Sequence, residues 1–355
     1  MRDIAGGLAR WRAAGVRFAL ATVVRTFSSA PRGPGAAMAV AETGEVIGSV
    51  SGGCVEGAVY DLALSVLESG DPVTQRYGVS DDDAFAVGLT CGGIIDILVE
   101  RADSPEFAAA LDAVLAEQPV ALVHSGGRFL VVSPADVKGD LGDPGLTEAA
   151  GEQAAGMLAH GRTGMIELGR HGEQRMTDVE VFVQSFTPPP RMLVFGAIDF
   201  AGAVARIGKF LGYHVTVCDA RPVFATRSRF PDADEIVVAW PHRYLRETAI
   251  DPRTVICVLT HDPKFDVPLL EAALETPAAY IGVMGNRRTH RDRLARLREL
   301  GIGEEALARL AAPIGLDLGA RTPEETAVAI AAEIVSLTWN GTGRRLSELE
   351  TPIHP

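Results

Sequence analysis

Apolar residues recur along this chain in two rhythms. Past residue 190, short β-branched-rich runs at 191–195, 215–218, 235–239, 254–260 and 279–284 alternate with stretches of helical spacing. In the first such stretch Phe200, Val204, Ile207 and Leu211 fall on one face, and Gly212 stands where a helix cap belongs. Strand, helix, strand in repetition predicts a parallel, doubly wound sheet. Thr322-Pro323-Glu324-Glu325 is a capping box with proline at the first helical position, ahead of a stripe of Ala327, Ile330, Ala331, Ile334 and Val335.

Upstream the pattern is mixed α+β. Strands are expected at 18–24, 37–40, 46–50 and 94–100, with residues 42–45 as a hairpin turn. A helix from about 55 to 67 places Val55, Val59, Leu62 and Val66 on one face. A second helix is expected at 105–115, and a hairpin joins 120–123 to 129–132 around Gly126-Gly127. Pro188-Pro189-Pro190 stiffens the chain and cannot donate to a ladder, so a linker is placed there. The expected organisation is an α+β region at 1–187, with its core at about 10–103 and a less regular part at 104–187. A Rossmann-like domain at 191–340 and a surface tail at 341–355 follow.

Composition narrows the function classes. The 355 residues carry 33 basic and 46 acidic side chains, a net charge of −13, which argues against general nucleic-acid binding. No run approaches the length of a membrane span, and the first residues lack a secretory leader pattern, so a cytoplasmic protein is expected. The four cysteines lie far apart with no zinc-type spacing, so a functional cysteine should be a thiol or thiolate.

The candidate chemistry is in Gly48-Ser49-Val50-Ser51-Gly52-Gly53-Cys54-Val55-Glu56. Gly52 and Gly53 let backbone approach a ligand, and a cysteine at the start of the following helix would feel the positive end of its dipole. Its thiolate could ligate a soft metal or attack an electrophile, with Glu56 as proton donor or positioner. The plainer alternative is a tight turn with Cys54 as a small buried hydrophobe. Cys91, followed by Gly92 and Gly93, is a second cysteine in a glycine loop and favours chemistry; Cys218 and Cys257 lie inside strands and read as core.

These blocks carry a family resemblance. The first half, through Val23-Val24-Arg25, Ser28-Ser29-Ala30-Pro31-Arg32, the glycine-cysteine block and Cys91-Gly92-Gly93, resembles the xanthine dehydrogenase accessory family (XdhC/CoxI). The second half is similar to that family's Rossmann domain at Val217-Cys218-Asp219-Ala220-Arg221, Leu259-Thr260-His261-Asp262, 280–288 and 313–325. The resemblance implies a maturation factor that binds the molybdenum cofactor (molybdopterin) and hands it to an apo molybdenum hydroxylase. It also implies a homodimer and a cysteine desulfurase as a further partner. Cys54 and Cys91 would then be soft ligands to molybdenum, and Arg25, Ser29 and Arg32 would receive the pterin or its phosphate.

The dinucleotide fingerprint is incomplete. Gly196-Ala197-Ile198-Asp199-Phe200-Ala201 retains Gly196 but replaces the glycine that admits pyrophosphate with Ile198 and adds the anion Asp199. Asp219 stands where a ribose-binding acid belongs, or caps its own turn. Arg287, Arg288 and Arg291 begin a helix and either clamp a phosphate or form a solvated face. Two rival readings therefore accompany the maturation factor: an NAD(P)-dependent oxidoreductase, or a carrier bearing a persulfide on Cys54.

Overall fold

A computed structural model describes residues 1–27, 32–78 and 93–350. They form two compact units, Met1–Pro188 with Glu350, and Pro189–Leu349, so the division falls inside the proline triplet.

The first unit runs α1 (Ala5–Ala13), β1 (Phe18–Phe27), β2 (Ala37–Ala41), β3 (Val46–Gly48), α2 (Glu56–Ser69), β4 (Val73–Tyr77), β5 (Ile94–Arg101) and α3 (Pro105–Leu115). It continues with β6 (Val120–Ser125), β7 (Arg128–Val132), β8 (Val137–Gly139), α4 (Pro144–Ala159), β9 (Gly164–Leu168) and β10 (Val179–Phe186). The strands make two antiparallel sheets, ordered β3-β2-β1-β5-β4 and β8-β7-β6-β10-β9. Alternation along each strand divides the core into layers. Phe18 and Leu20 of β1 face Leu8, Trp11, Phe107 and Leu111 of α1 and α3, which also meet Leu122, Phe129 and Phe186 of the second sheet. Ala19, Ala21 and Val23 face the other way, onto Val59, Ala63 and Val66 of α2. On the far side of the second sheet, Ala121 and Val123 pack on Ala150 and Ala154 of α4.

Residues 104–187 are as regular as the rest, contrary to the sequence-based expectation. The helix missed there, α4, is capped by Asp143, whose side chain accepts from the Leu146 N–H. Of its buried residues Leu146, Ala150, Gly151, Ala154 and Leu158, three are alanine or glycine, which blunts the hydrophobic period.

The second unit runs β11 (Arg191–Phe195), α5 (Asp199–Phe210), β12 (His214–Asp219), β13 (Glu235–Val238), α6 (Pro241–Glu247), β14 (Val255–Val258) and α7 (Pro263–Leu274). There follow β15 (Tyr280–Val283), α8 (Arg287–Glu299), α9 (Glu304–Leu307), β16 (Leu310–Ala311) and α10 (Pro323–Thr338). All registered pairs are parallel, in the order β13-β12-β11-β14-β15-β16. This is the doubly wound Rossmann order, with the reversal of direction between β11 and β14. One face packs on α5 and α10, the other on α7 and α8. The capping box at Thr322 and Glu325 is formed. Cys218 and Cys257 are buried in β12 and β14, and burial pushes both thiols up to about 12. Val335, expected on a buried stripe, is instead exposed. Among the described residues no helix is long and apolar enough to cross a membrane. Residues 341–350 are mostly exposed around one 3-10 turn, Leu346–Glu348.

Candidate functional site

The glycine loop connects β3 to α2. Gly48 ends the strand at φ +82°, where a Cβ would stand 2.4 Å from the Ala37 carbonyl oxygen. Gly52 and Gly53 have φ of +80° and +119° with open space around them, so glycine is needed there for conformation rather than for room. Successive backbone N–H groups then converge on one concave side, which is an anion nest.

That nest is filled from within. The Glu56 carboxylate accepts hydrogen bonds from Ser49 Oγ (2.6 Å) and Ser51 Oγ (2.5 Å). It also accepts the N–H groups of Val50 (3.2 Å), Ser51 (2.9 Å), Gly52 (3.1 Å), Gly53 (2.9 Å) and Val55 (3.2 Å). Ser51 is buried and its Oγ accepts from the N–H groups of Cys54 (3.0 Å) and Val55 (3.1 Å). Burial alone would raise the Glu56 pKa, but the bonds from Ser49 and Ser51 outweigh it and hold the carboxyl at about 2. Glu56 is therefore held ionised at neutral pH. It positions the loop.

Cys54 sits immediately before the helix N-cap, Val55, rather than on the first turn as expected. Its side chain is half-buried, with one side against the core formed by α2 and the first sheet. The helix-end N–H groups expected to serve its thiolate face Glu56 instead. Arg32 reaches the same loop, donating from Nη1 to the Ser49 carbonyl (3.1 Å), with Asp3 at 3.5 Å. Arg25 pairs with Glu180 (2.8 Å) and Glu167 (3.6 Å). Ser29, Cys91 and Gly92 lie outside the described residues. The structure thus brings together Arg32, Gly52, Gly53, Cys54 and Glu56. It adds Ser49 and Ser51, two hydroxyls in a glycine loop whose only sequence signal was their place in the block.

The second candidate site, at the β11 turn, is also closed by a carboxylate of the chain. Gly196 has φ +109°, and a Cβ there would stand 2.8 Å from Thr260 Cγ2 and 3.1 Å from the Thr260 nitrogen. Asp219 is buried at the end of β12 and accepts the Ala197 N–H at 2.8 Å. Arg221 adds its own N–H (2.9 Å), Nε (2.9 Å) and Nη2 (2.8 Å) to the same carboxylate. Burial would raise the Asp219 pKa, but Arg221 and the Ala197 amide bring it below the usual carboxylate range. Arg229 ties the turn further, through the Ala197 carbonyl (3.0 Å) and Asp199 (3.3 Å). Asp219 thus braces its own turn, which is the second of the two roles its position allowed. Arg287 opens α8 and is exposed, beside the cap that Asn286 Oδ1 makes to the Thr289 N–H (2.9 Å).

Comparison with known proteins places both units. A family model described as the XdhC and CoxI family matches residues 11–78, and one described as the XdhC Rossmann domain matches residues 192–334. Together they cover more than half of the chain. A Bacillus subtilis protein named as a probable xanthine dehydrogenase subunit is 29% identical over 326 residues, 89% of this chain and 92% of its own. The molybdenum cofactor insertion chaperone PaoD of Escherichia coli is 28% identical over 320 residues, 90% of this chain and 82% of its own. The crystal structure of a xanthine dehydrogenase from Bacillus halodurans shares the fold, with a TM-score of 0.63, 24% identity and 98% of each chain covered. With the glycine-cysteine block in the first unit and the Rossmann strand order in the second, the chain belongs to the XdhC and CoxI family.

Proposed function

We propose that this protein is a maturation factor that binds the molybdenum cofactor as cargo and delivers it to an apo-hydroxylase of the xanthine dehydrogenase type. The observation that carries the reading is Cys54, a half-buried thiol at the edge of a loop that Glu56 and Ser51 hold rigid. A polarisable sulfur is a suitable soft ligand for molybdenum. The loop amides are not available to a phosphate while Glu56 occupies them, so Arg32 is the cation this site offers an anionic ligand. Support for cofactor handling and for the client comes from the likeness to a named insertion chaperone over nine-tenths of the chain. A cysteine desulfurase as a further partner and a homodimeric assembly belong to the same proposal, and light scattering of the purified chain tests the second.

The deciding experiment is an anaerobic titration of the protein and its Cys54→Ala variant with isolated molybdenum cofactor, followed by desalting. Retention by the wild type alone supports the reading. Equal retention by both removes Cys54 as the anchor, and retention by neither removes the cargo. A mass increase of one sulfur atom on Cys54 after incubation with a low-molecular-weight persulfide, whose outer sulfur passes to the thiolate as the donor leaves as its thiol, would favour the persulfide carrier instead.

A further inference from the structure

We propose that the second unit holds a binding site for a phosphoryl group between the N-terminal ends of α7 and α8. A doubly wound sheet presents its ligand crevice at the carboxyl ends of its strands, near the reversal of strand order. The corner at β11 is braced by Asp219 and Arg221. At the carboxyl ends of β14 and β15, residues 259–262 and 284–286 lead into the two helices. A cavity of about 110 Å³ opens between these helices, lined in part by His261, Asp266, Thr289, Asp292, Arg293 and Arg296.

Arg293 is the unusual member. Arginine is seldom fully buried, yet this one is 4% exposed and must place its N–H groups on acceptors. Nη2 donates to Asp266 Oδ2 (2.8 Å) and to the Met284 carbonyl (3.2 Å). Asp266 is itself buried, and its other oxygen accepts from Thr260 Oγ1. The pair is therefore neutral, with both carboxylate oxygens engaged, while Nη1 of Arg293 has no hydrogen-bond partner among the described residues. Leaving such a donor unmet is costly, which points to an acceptor supplied from outside the chain.

The surroundings indicate what that acceptor is. A Cβ at Gly285 would stand 3.7 Å from Nη1 and 3.5 Å from Thr289, so glycine leaves the approach to both clear. Helix α8 runs for 13 residues, and its first N–H groups leave at the same end. Arg296 adds a cation at the exposed rim, partly offset by Asp292. A guanidinium edge and a helix N-terminus together suit a tetrahedral anion with several acceptor oxygens. An apolar ligand would leave Nη1 unsatisfied. Sites for whole small molecules run to roughly 300 Å³ or more, so the cavity suits a phosphoryl terminus with the remainder of its ligand outside. That phosphoryl group belongs either to the tail of the carried cofactor or to a separate phosphate ester.

Equilibrium dialysis of the full chain against radiolabelled inorganic phosphate tests the site. The wild type should bind one phosphate saturably, and Arg296→Met should weaken it by about tenfold. The double variant Asp266→Asn/Arg293→Met, which removes both buried charges together, should abolish binding while retaining its thermal transition. Absence of saturable binding by the wild type overturns the proposal, as does undiminished binding by a folded double variant. Should that variant fail to fold, Arg296→Met decides alone, and unchanged affinity there overturns it. Displacement of phosphate on cofactor loading identifies the cofactor's tail as the source, and simultaneous binding identifies a separate ester. Cys54→Ala should bind phosphate like the wild type, so this site stands or falls independently of the cargo reading.

Discussion

Replacing Glu56 with glutamine tests whether the glycine loop is held by its own carboxylate. Glutamine keeps the size of the side chain but removes the charge and turns an NH₂ group toward N–H donors. Holding the carboxyl at about 2 rather than its ordinary 4.5 corresponds to at most roughly 3 kcal/mol in favour of the ionised form. Glu56 is only partly buried, and screening by water brings the expected loss to roughly 2 kcal/mol. The readout should be local, because two compact units need not unfold as one transition. Hydrogen exchange of the Ser51, Gly52 and Gly53 amides at pH 7 should be roughly 30-fold faster in the variant. The sign with pH follows from a lowered folded-state pKa. The stabilisation is complete above about 4.5 and is lost as pH falls from there toward 2, so the gap between wild type and variant should narrow at pH 3. Equal protection at pH 7, or a gap that stays constant down to pH 3, would refute the argument.

Other substitutions probe the frame around the two turns. Asp219→Asn should lower the urea midpoint of the second unit by the equivalent of about 1–2 kcal/mol without creating NADH binding, read by denaturation and nucleotide fluorescence. Gly196→Ala should cost roughly 1–3 kcal/mol in the same assay, since its Cβ would meet Thr260 at 2.8 Å from a left-handed backbone. In the first unit, His124 Nδ1 and Glu100 Oε1 are 2.5 Å apart between the two sheets, with both residues buried. Glu100→Ala should therefore destabilise by roughly 3–5 kcal/mol, and the double change Glu100→Leu/His124→Leu by less, as measured by thermal unfolding.

Much of this architecture could be read from residue patterns, for identifiable reasons. Strands buried on both faces, such as β11, β12 and β14, announce themselves as short β-branched runs, and the capping box at Thr322 marks a helix start without help from tertiary structure. By contrast α4 hides its buried face behind alanines, and the three residues of β8 are all exposed and carry no alternation. At the candidate site, the spacing of Gly52, Gly53, Cys54 and Glu56 placed these residues in one loop, as the structure has them. Which of the sulfur and the carboxylate meets the loop amides depends on side-chain torsions that spacing does not encode. Asp219 was legible as a strand-end acid. Its partner Arg221 stood two residues along in the same block, and only the geometry shows that the pair is closed.

The glycine turns at Gly52-Gly53 and Gly196 obey the same physical rule, because each gathers N–H donors and each satisfies them with a nearby carboxylate. Such a turn is rigid before any ligand arrives, since its donors are already bonded and its acid is already ionised. The arrangement also discriminates among ligands. An anion entering the Glu56 nest would have to displace a contact worth roughly 2 kcal/mol, a penalty of about thirtyfold in affinity. A ligand approaching through the Cys54 sulfur avoids that penalty, because the loop amides can stay on Glu56 while it binds. With Cys54 as the anchor proposed above, the first unit favours soft-ligand contact over phosphate contact. Phosphate recognition falls instead to groups like Arg293, whose Nη1 the fold has buried without an acceptor among the described residues.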